Sequence, residues 1–461
     1  MTSSLGSLLI ELQHLILGLL LPLCDELPRD LSSVSKVNKH LRRVAEPLLY
    51  SEVYVKWDKK KRPSISPIIP LLRTVLNRPE VASYIQVLCL GGDNIQGWDE
   101  DWDPCPPVSV IDLDMDKASK TIERTKVKTA QLWMQELRAG SMDAVAALLL
   151  SQTLNLKCLR LQLNYTPANS FLGLVARAAL LKPSDHQLPK YQRLSEVAFS
   201  WQPGEHRPEG YKNTQDVLPF FYLPELRHFS VAIDNPIVLE WPSQAPICTT
   251  LESLDLHRLR EVQLVSLLST LKGLKRLAWE FFYQDDPDVE QANASIVQLD
   301  KLAVALNKVS DTLTDLTITA FTGLPESIAE PEETPLVLAG SLDGFIHLRN
   351  LRRLEIPWVF LMGPASAAGT KRLRDGVPVN TETLVLTEDL RLYEEFEWGD
   401  EDILTTIEEE LEFRRSNPSG LQHLSLQFWY PTFGLDEELI QERARLELKA
   451  AKAGIQLVWP K

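Results

Sequence analysis

The chain has 461 residues, of which 44% are hydrophobic and 24% are charged, so it can bury a large core and is not of the disordered class. Its 48 lysine and arginine residues against 63 aspartate and glutamate residues give a net charge of -15, which argues against nucleic acid and membrane surfaces as partners. The cysteines are odd in number and form no Cys-x-x-Cys pair, so no disulfide framework, metal site or cofactor is predicted, and a reducing compartment, cytoplasmic or nuclear, fits best: Cys24, Cys89, Cys105, Cys158 and Cys248.

Residues 1–55 are predicted to form three short helices. The second helix begins near Asp30, whose carboxylate can cap free amides, and extends to Val44; Pro47 then restarts the chain. Helices this short cannot form an ample core alone, so part of their apolar surface should meet another domain or protein. The first helix is indicated by apolar side chains at helical spacing: Leu8, Leu12, Leu15, Ile16 and Leu19.

The order of these residues resembles the F-box motif, in particular its fungal form. Leu9 stands where that motif usually has proline, and Asn38 stands where it usually has serine or cysteine. The resemblance is carried by five groups of residues: Leu8-Leu9-Ile10-Glu11-Leu12; Leu15-Ile16; Asp30-Leu31 with Val34; Val37-Asn38-Lys39 with Leu41; and Pro47-Leu48-Leu49-Tyr50.

This resemblance implies an N-terminal docking motif and not an enzyme. F-box proteins bind a Skp-family adaptor and through it a cullin, while a second domain holds a protein substrate for ubiquitin transfer. The adaptor-binding residues implied are Leu8, Glu11, Leu12, Leu15, Ile16, Leu31, Val34, Val37 and Leu41. The alternative is that residues 1–55 are only a helical cap on the larger domain, since apolar helical stripes are usually core.

Residues 56–461 repeat a unit of the form apolar-x-x-apolar-x-apolar, which is the strand signature of leucine-rich repeats. Residues two apart on a strand share a face, so the last two apolar positions of each unit enter the core. The units are Ile85/Leu88/Leu90, Leu156/Leu159/Leu161, Leu194/Val197/Phe199, Leu226/Phe229/Val231, Leu251/Leu254/Leu256, Leu274/Leu277/Trp279, Leu313/Leu316/Ile318, Leu351/Leu354/Ile356, the partial Leu384/Leu386, and Leu421/Leu424/Leu426.

Segments with helical spacing lie between these predicted strands, for example Phe171 to Ala178, Leu264 to Leu271 and Ile296 to Val309. Strands that alternate with helices predict a parallel sheet, so the fold class is α/β, an irregular leucine-rich-repeat-like solenoid after an N-terminal three-helix motif. The spacing of the units is uneven, which predicts insertions near residues 97–109, 202–213, 284–293, 325–335 and 363–380.

Other motifs give weak signals. Asp112, Asp114 and Asp116 alternate as in a calcium loop, but Lys117 replaces the glycine that such a loop needs. Residues 98–103 place two tryptophans among four acids, which either grip a basic partner or form a solvated loop. Residues 394–412 are acidic with one apolar helical face, which indicates a repeat helix more than a binding tail.

The sequence therefore supports two functional hypotheses. The first is a substrate-recognition adaptor of an SCF-type cullin-RING ubiquitin ligase; the alternative is a leucine-rich-repeat interaction scaffold unconnected to ubiquitin. In both, outward strand positions face the partner. Arg276, Arg352 and Arg353 are the predicted substrate-binding anchors, because arginine forms forked hydrogen bonds and is enriched at hot spots.

Overall fold

In the computed structural model the chain forms two compact units, unit 1 (Met1–His228) and unit 2 (Phe229–Lys461). Both are mixed α/β. The structure describes residues 8–20, 29–57, 66–92, 107–162, 165, 168–200, 212–234, 236–283, 295–322, 336–364, 371–390, 396, 398–417, 420–428 and 437–460. Most of the five predicted insertions lie outside these ranges, and so do residues 98–103 with their two tryptophans.

Unit 1 opens with three helices and continues with strands that alternate with helices. Its helices are α1 (Ile10–Gly18), α2 (Arg29–Ser35), α3 (Lys39–Leu49), α4 (Ile68–Asn77), α5 (Pro79–Ala82), α6 (Met115–Thr125), α7 (Ala130–Ala139), α8 (Met142–Leu150), α9 (Ser170–Leu181) and α10 (Thr214–Val217), which runs into a 3-10 helix (Leu218–Tyr222). Its strands are β1 (Glu52–Trp57), β2 (Val87–Gly92), β3 (Cys158–Leu161) and β4 (Glu196–Phe199). A fifth strand, β5 (His228–Ala232), begins at the last residue of unit 1.

The N-terminal helices correct two details of the sequence prediction. The predicted second helix is broken after Ser35, because Asn38 starts a new helix: its side-chain oxygen accepts a hydrogen bond from the Leu41 amide at 2.8 Å. Pro47 does not restart the chain. It lies inside α3, which continues to Leu49, and β1 follows after two residues.

Strands β1 to β4 pair in chain order, and every pair is parallel. At the start of β2, β3 and β4, two consecutive amides donate to the carbonyl of the residue just before the preceding strand; Gln86 and Val87, for example, both donate to the Ser51 carbonyl at 2.9 and 3.0 Å. This repeated contact fixes the register of the leucine positions. β1 was not among the predicted repeat units, although it makes the same contact.

Unit 2 also alternates strands with helices, and its principal strands pair in the order β6-β7-β9-β11-β12-β13-β14, all parallel. Its strands are β6 (Ser253–His257), β7 (Arg276–Tyr283), β8 (Ile296–Gln298), β9 (Asp315–Thr322), β10 (Val337–Ala339), β11 (Arg353–Pro357), β12 (Thr383–Thr387), β13 (His423–Gln427) and β14 (Gln456–Val458). Its helices are α11 (Glu261–Leu268), α12 (Leu299–Leu306), α13 (Trp358–Met362), α14 (Leu373–Gly376), α15 (Asp400–Ser416) and α16 (Glu437–Lys452), with 3-10 helices at Asn307–Val309 and Asp343–His347.

The predicted repeat units form the core of both units. Every apolar residue of the ten units is at most 6% exposed, and each unit lies on or next to a parallel strand. The prediction of a parallel sheet with buried leucine positions is therefore confirmed. The reason is local: alternation along a strand decides which side chains enter the core.

The helical predictions hold in part. α9 and α11 occupy their predicted segments, and α15 buries Ile403, Ile407 and Leu411 as expected for a repeat helix. The segment from Ile296 is not all helix, because residues 296–298 form β8 and pair in parallel with β10. Helices α6, α7 and α8, between β2 and β3, were not predicted.

Candidate protein-interaction surfaces

Helices α1 to α3 enclose a small core of their own. Leu17, Leu31, Val44 and Ala45 are at most 2% exposed and pack together. Leu31 was predicted to contact an adaptor, but its side chain is fully buried in this cluster. The structure therefore gives Leu31 a packing role, and Leu31 is not part of the exposed surface.

Most of the apolar surface of α1 faces away from this core. Leu12, Leu15 and Ile16 are 45%, 69% and 42% exposed, and Leu19 just after the helix is 84% exposed. Val37, between α2 and α3, is 67% exposed. Clusters of exposed large apolar side chains typically mark interaction sites. We call Leu12, Leu15, Ile16 and Leu19 the α1 apolar face.

The buried side chain of Gln13 fixes the orientation of α1. Its amide oxygen lies 2.8 Å from His40 Nε2 on α3, and its amide nitrogen donates to the Leu8 carbonyl at 2.7 Å. Gln13 is 1% exposed, so these contacts satisfy a polar group that would otherwise be costly to bury. They point the opposite side of α1 toward solvent.

The other predicted adaptor-binding residues lie around the same helices. Glu11 is exposed on α1, and Leu8 is half-buried before it. Val34 and Leu41 are half-buried, and Val34 packs against the small core. Apart from Leu31, each of these side chains keeps some exposed surface.

A second surface is the exposed face of the unit 2 strands. Outward side chains line up across the strands in the register Ser253, Arg276, Asp315, Arg353, Thr383, His423 and Gln456. The next outward row contains Asp255, Ala278, Thr317, Glu355, Val385, Ser425 and Val458. Because neighbouring strands lie about 4.8 Å apart, each row is a regular line: the first carries charges of both signs, and the charged residues of the second are the acids Asp255 and Glu355.

The three predicted anchor arginines lie on this face in different settings. Arg276 and Arg353 occupy one row with Asp315 between them, while Arg352 precedes β11. Arg352 forms an ion pair with Glu382 and is 66% exposed at its side chain. Arg353 pairs with Glu355 at 2.8 Å, and Arg276 lies 3.5 Å from the Ser253 hydroxyl.

Residues 60–250 match the family of leucine-rich repeat domains. The chain matches no curated protein significantly. The matched segment contains β2 to β4 and their helices, whose parallel pairing and buried leucines are what a leucine-rich repeat domain requires. Leucine-rich repeats typically serve protein–protein interaction, so the match suggests a protein-interaction scaffold at residues 60–250.

The repeat strands also carry an aromatic feature that sequence reasoning missed. Phe282 on β7 and Phe321 on β9 are register partners, and their rings stack with centroids 5.9 Å apart at an angle of 4°. The guanidinium of Arg258 lies over Phe282 at 5.6 Å. Phe321 is 43% exposed. The sequence did contain a signal for it, because Phe321 lies an even number of residues after Asp315 and Thr317 and so shares their outward face of β9.

The calcium-loop alternative finds no support in the ranges that the structure describes. Asp114 caps α6, because its carboxylate accepts a hydrogen bond from the Lys117 amide at 3.1 Å. No group of three or more histidine, cysteine, aspartate or glutamate residues is placed to hold a metal ion there. Within the same ranges, no helix has the length and apolarity that crossing a bilayer requires.

Proposed function

We propose that this chain is the substrate-recognition subunit of an SCF-type cullin-RING ubiquitin ligase. In this proposal, α1 to α3 dock a Skp-family adaptor, which binds the cullin, and the leucine-rich repeats hold a protein substrate. The chain itself catalyses nothing. It raises the effective concentration of the substrate beside a ubiquitin-charged enzyme, so its contribution is proximity.

The α1 apolar face carries the proposal. Leu12, Leu15 and Ile16 remain exposed although Gln13 and Leu17 of the same helix are buried. A helix that served only as a cap would bury its apolar face on the domain beside it, since burying apolar surface is what stabilises such a helix. The exposed face therefore supports an external protein partner.

The attachment of α3 to the repeats is also favourable for this role. α3 ends at Leu49 and β1 begins at Glu52, so only two residues separate the helical motif from the first strand. Glu46 on α3 pairs with Arg78, which follows α4, through two hydrogen bonds. A stiff connection would hold the docked adaptor in a fixed position relative to the first repeat of unit 1.

The direct test is binding of the full-length chain to a purified Skp-family adaptor by calorimetry. The double variant Leu12→Asp/Ile16→Asp should weaken binding at least about 30-fold, because one apolar hot-spot side chain alone contributes about 2 kcal/mol. Both positions are 42–45% exposed, so the fold should survive. Circular dichroism would verify this.

The matched control places the same charges elsewhere in unit 1. Ile111→Asp/Leu132→Asp changes two apolar side chains that are 89% and 51% exposed and lie outside α1 to α3. This control should bind the adaptor as tightly as the unchanged protein. No adaptor binding by the folded, unchanged protein would refute the ligase proposal.

The scaffold alternative rests on the repeats alone. A scaffold unconnected to ubiquitin would capture its partner and produce its cellular effect regardless of α1. The Leu12→Asp/Ile16→Asp variant separates the two functions: the ligase proposal predicts that captured proteins accumulate in cells, whereas the scaffold alternative predicts no change in their abundance.

A further inference from the structure

A row of planar groups crosses the exposed face of unit 2 at the ends of β6, β7 and β9. It starts with the Arg258 guanidinium, continues with the Phe282 ring and ends with the Phe321 ring. Phe282, in the middle, is 5% exposed, whereas Phe321 at the end is 43% exposed. The row therefore has one covered ring and one open ring.

Arg258 is held firmly at the closed end of this row. Its backbone φ is 66°, in the left-handed region that residues other than glycine rarely adopt. Its guanidinium lies 3.4 Å from the Asp234 carboxylate. Such a conformation persists only where surrounding contacts hold it, and it is found preferentially at functional sites.

The open side of Phe321 results from the early separation of β11 from β9, although β11 stays paired with β12. β11 pairs with β9 only from Asp315 to Thr317, and the chain turns into α13 at Trp358. Beyond this point the Asp389 carboxylate accepts a hydrogen bond from the Ala320 amide at 2.8 Å. Next to Phe321, the backbone of β9 therefore contacts the Asp389 carboxylate instead of the neighbouring strand β11.

The surroundings of the open ring are acidic. Asp389, beside Ala320, is half-buried, and burial raises its pKa; the nearby charge of Glu355 raises this pKa further. A partly desolvated carboxylate gains more from an arriving cation than an exposed one does.

We infer that the open face of Phe321 binds an arginine side chain of the protein partner. The guanidinium would stack on Phe321 as the fourth planar group of the row and approach the carboxylates of Asp389 and Glu355. The inference rests on the proposed function only in that the repeat strands receive a protein. It names the chemistry of that protein as a basic, arginine-bearing segment.

Arginine fits this place better than lysine. A guanidinium is planar, stacks on aromatic rings and is more weakly hydrated than an ammonium group, so it loses less on leaving water. The protein already makes this contact once, between Arg258 and Phe282. The partner would repeat it at the other end of the stack.

The test is fluorescence anisotropy with two labelled peptides, nona-arginine and nona-lysine, on the full-length chain. The peptides carry equal charge, so general attraction to an acidic protein cancels in their ratio. We expect nona-arginine to bind about fivefold more tightly. Phe321→Leu should abolish this ratio, and Phe321→Tyr, which keeps an aromatic ring, should preserve it.

The chain offers a matched control in Phe413, which is 41% exposed on α15 and has the Arg374 guanidinium 4.0 Å from its ring centre. Phe413→Leu should leave the ratio unchanged. Equal affinities for the two peptides, or a ratio that survives Phe321→Leu, would overturn the inference. Adaptor binding through α1 is measured separately, so its failure would refute the ligase proposal and leave this ratio measurable.

Discussion

Arg78 holds Glu46 with both terminal nitrogens: Nη1 and Nη2 donate to the two carboxylate oxygens at 2.7 and 2.8 Å. Glu46 belongs to α3, and Arg78 follows α4, so the pair joins the N-terminal helices to the first repeat. Arg78 also lowers the pKa of Glu46. The forked geometry restrains both direction and distance, which a single ion contact would not.

Glu46→Gln should destabilise the protein by about 1 kcal/mol at pH 7, because the charged fork is lost while the side-chain shape is kept. The folded-state pKa lies below the ordinary value of 4.5, so the stability from this pair is present above pH 4.5 and is lost as the pH falls through the lowered pKa. Urea unfolding at several pH values would measure it. Glu80→Gln, which removes a more exposed partner of Arg78, should cost less; an equal cost would contradict the role of the fork.

Asp143 should give unit 1 the opposite pH dependence. Burial raises the pKa of Asp143 to about 7, although its carboxylate accepts hydrogen bonds from the Phe171 and Leu172 amides at 2.8 and 3.1 Å. Between the ordinary value of 3.8 and about 7, the folded protein binds more protons at this site than the unfolded chain. Stability from this group therefore falls as the pH rises through that window.

Asp143→Asn removes the titration and keeps one acceptor oxygen. We expect the stability of the unchanged protein relative to this variant to decrease from pH 5 to pH 8. Chemical unfolding at the two pH values measures the difference. Parallel stability curves for the two proteins would mean that Asp143 does not titrate in this range.

The adjacent pair Arg260 and Glu261 should matter far more than the exposed pairs of the strand face. These side chains are 3% and 1% exposed, and Arg260 also donates to the Ile296 carbonyl at 2.8 Å. Arg260→Met would leave a buried charge uncompensated, so a loss of about 3 kcal/mol is expected. Arg352→Met, which breaks an exposed pair with Glu382, should cost less than about 1 kcal/mol. Similar losses in urea unfolding would contradict this ranking.

Charge reversal at Arg276 decides between two interpretations of the strand face. If Arg276 anchors the substrate, as the sequence predicts, Arg276→Glu should abolish capture of the partner. If the face binds a basic segment, the same change removes a repelling charge and should tighten nona-arginine binding about twofold at low salt. Anisotropy at two salt concentrations measures the direction, and weaker binding would favour the anchor interpretation.

The sequence predicted the leucine positions well and the N-terminal helices less well. The leucine units are predictable because side chains along a strand alternate between its two faces, and this alternation is visible in a few neighbouring residues. The sequence did not predict the helix break before Asn38, because the apolar spacing continues across it. The hydrogen bond from the Leu41 amide to the Asn38 side chain shows that a new helix starts there. β1 and β14 lie at the ends of the chain's repeats, where the leucine pattern is weakest.

By itself the sequence determined that this protein has a parallel α/β repeat architecture, since the period of apolar residues specifies which face of each strand is buried. Only the tertiary structure decided which side chains remain available to a partner. Leu31 is buried in the core whereas Leu15 is exposed, although both lie on apolar helical stripes, and Arg352 and Arg353 each pair with a carboxylate. Phe321 is open because β11 separates early from β9. Two of these outcomes depend on residues far apart in the sequence, Arg352 with Glu382 and Ala320 with Asp389, and no local period encodes such contacts.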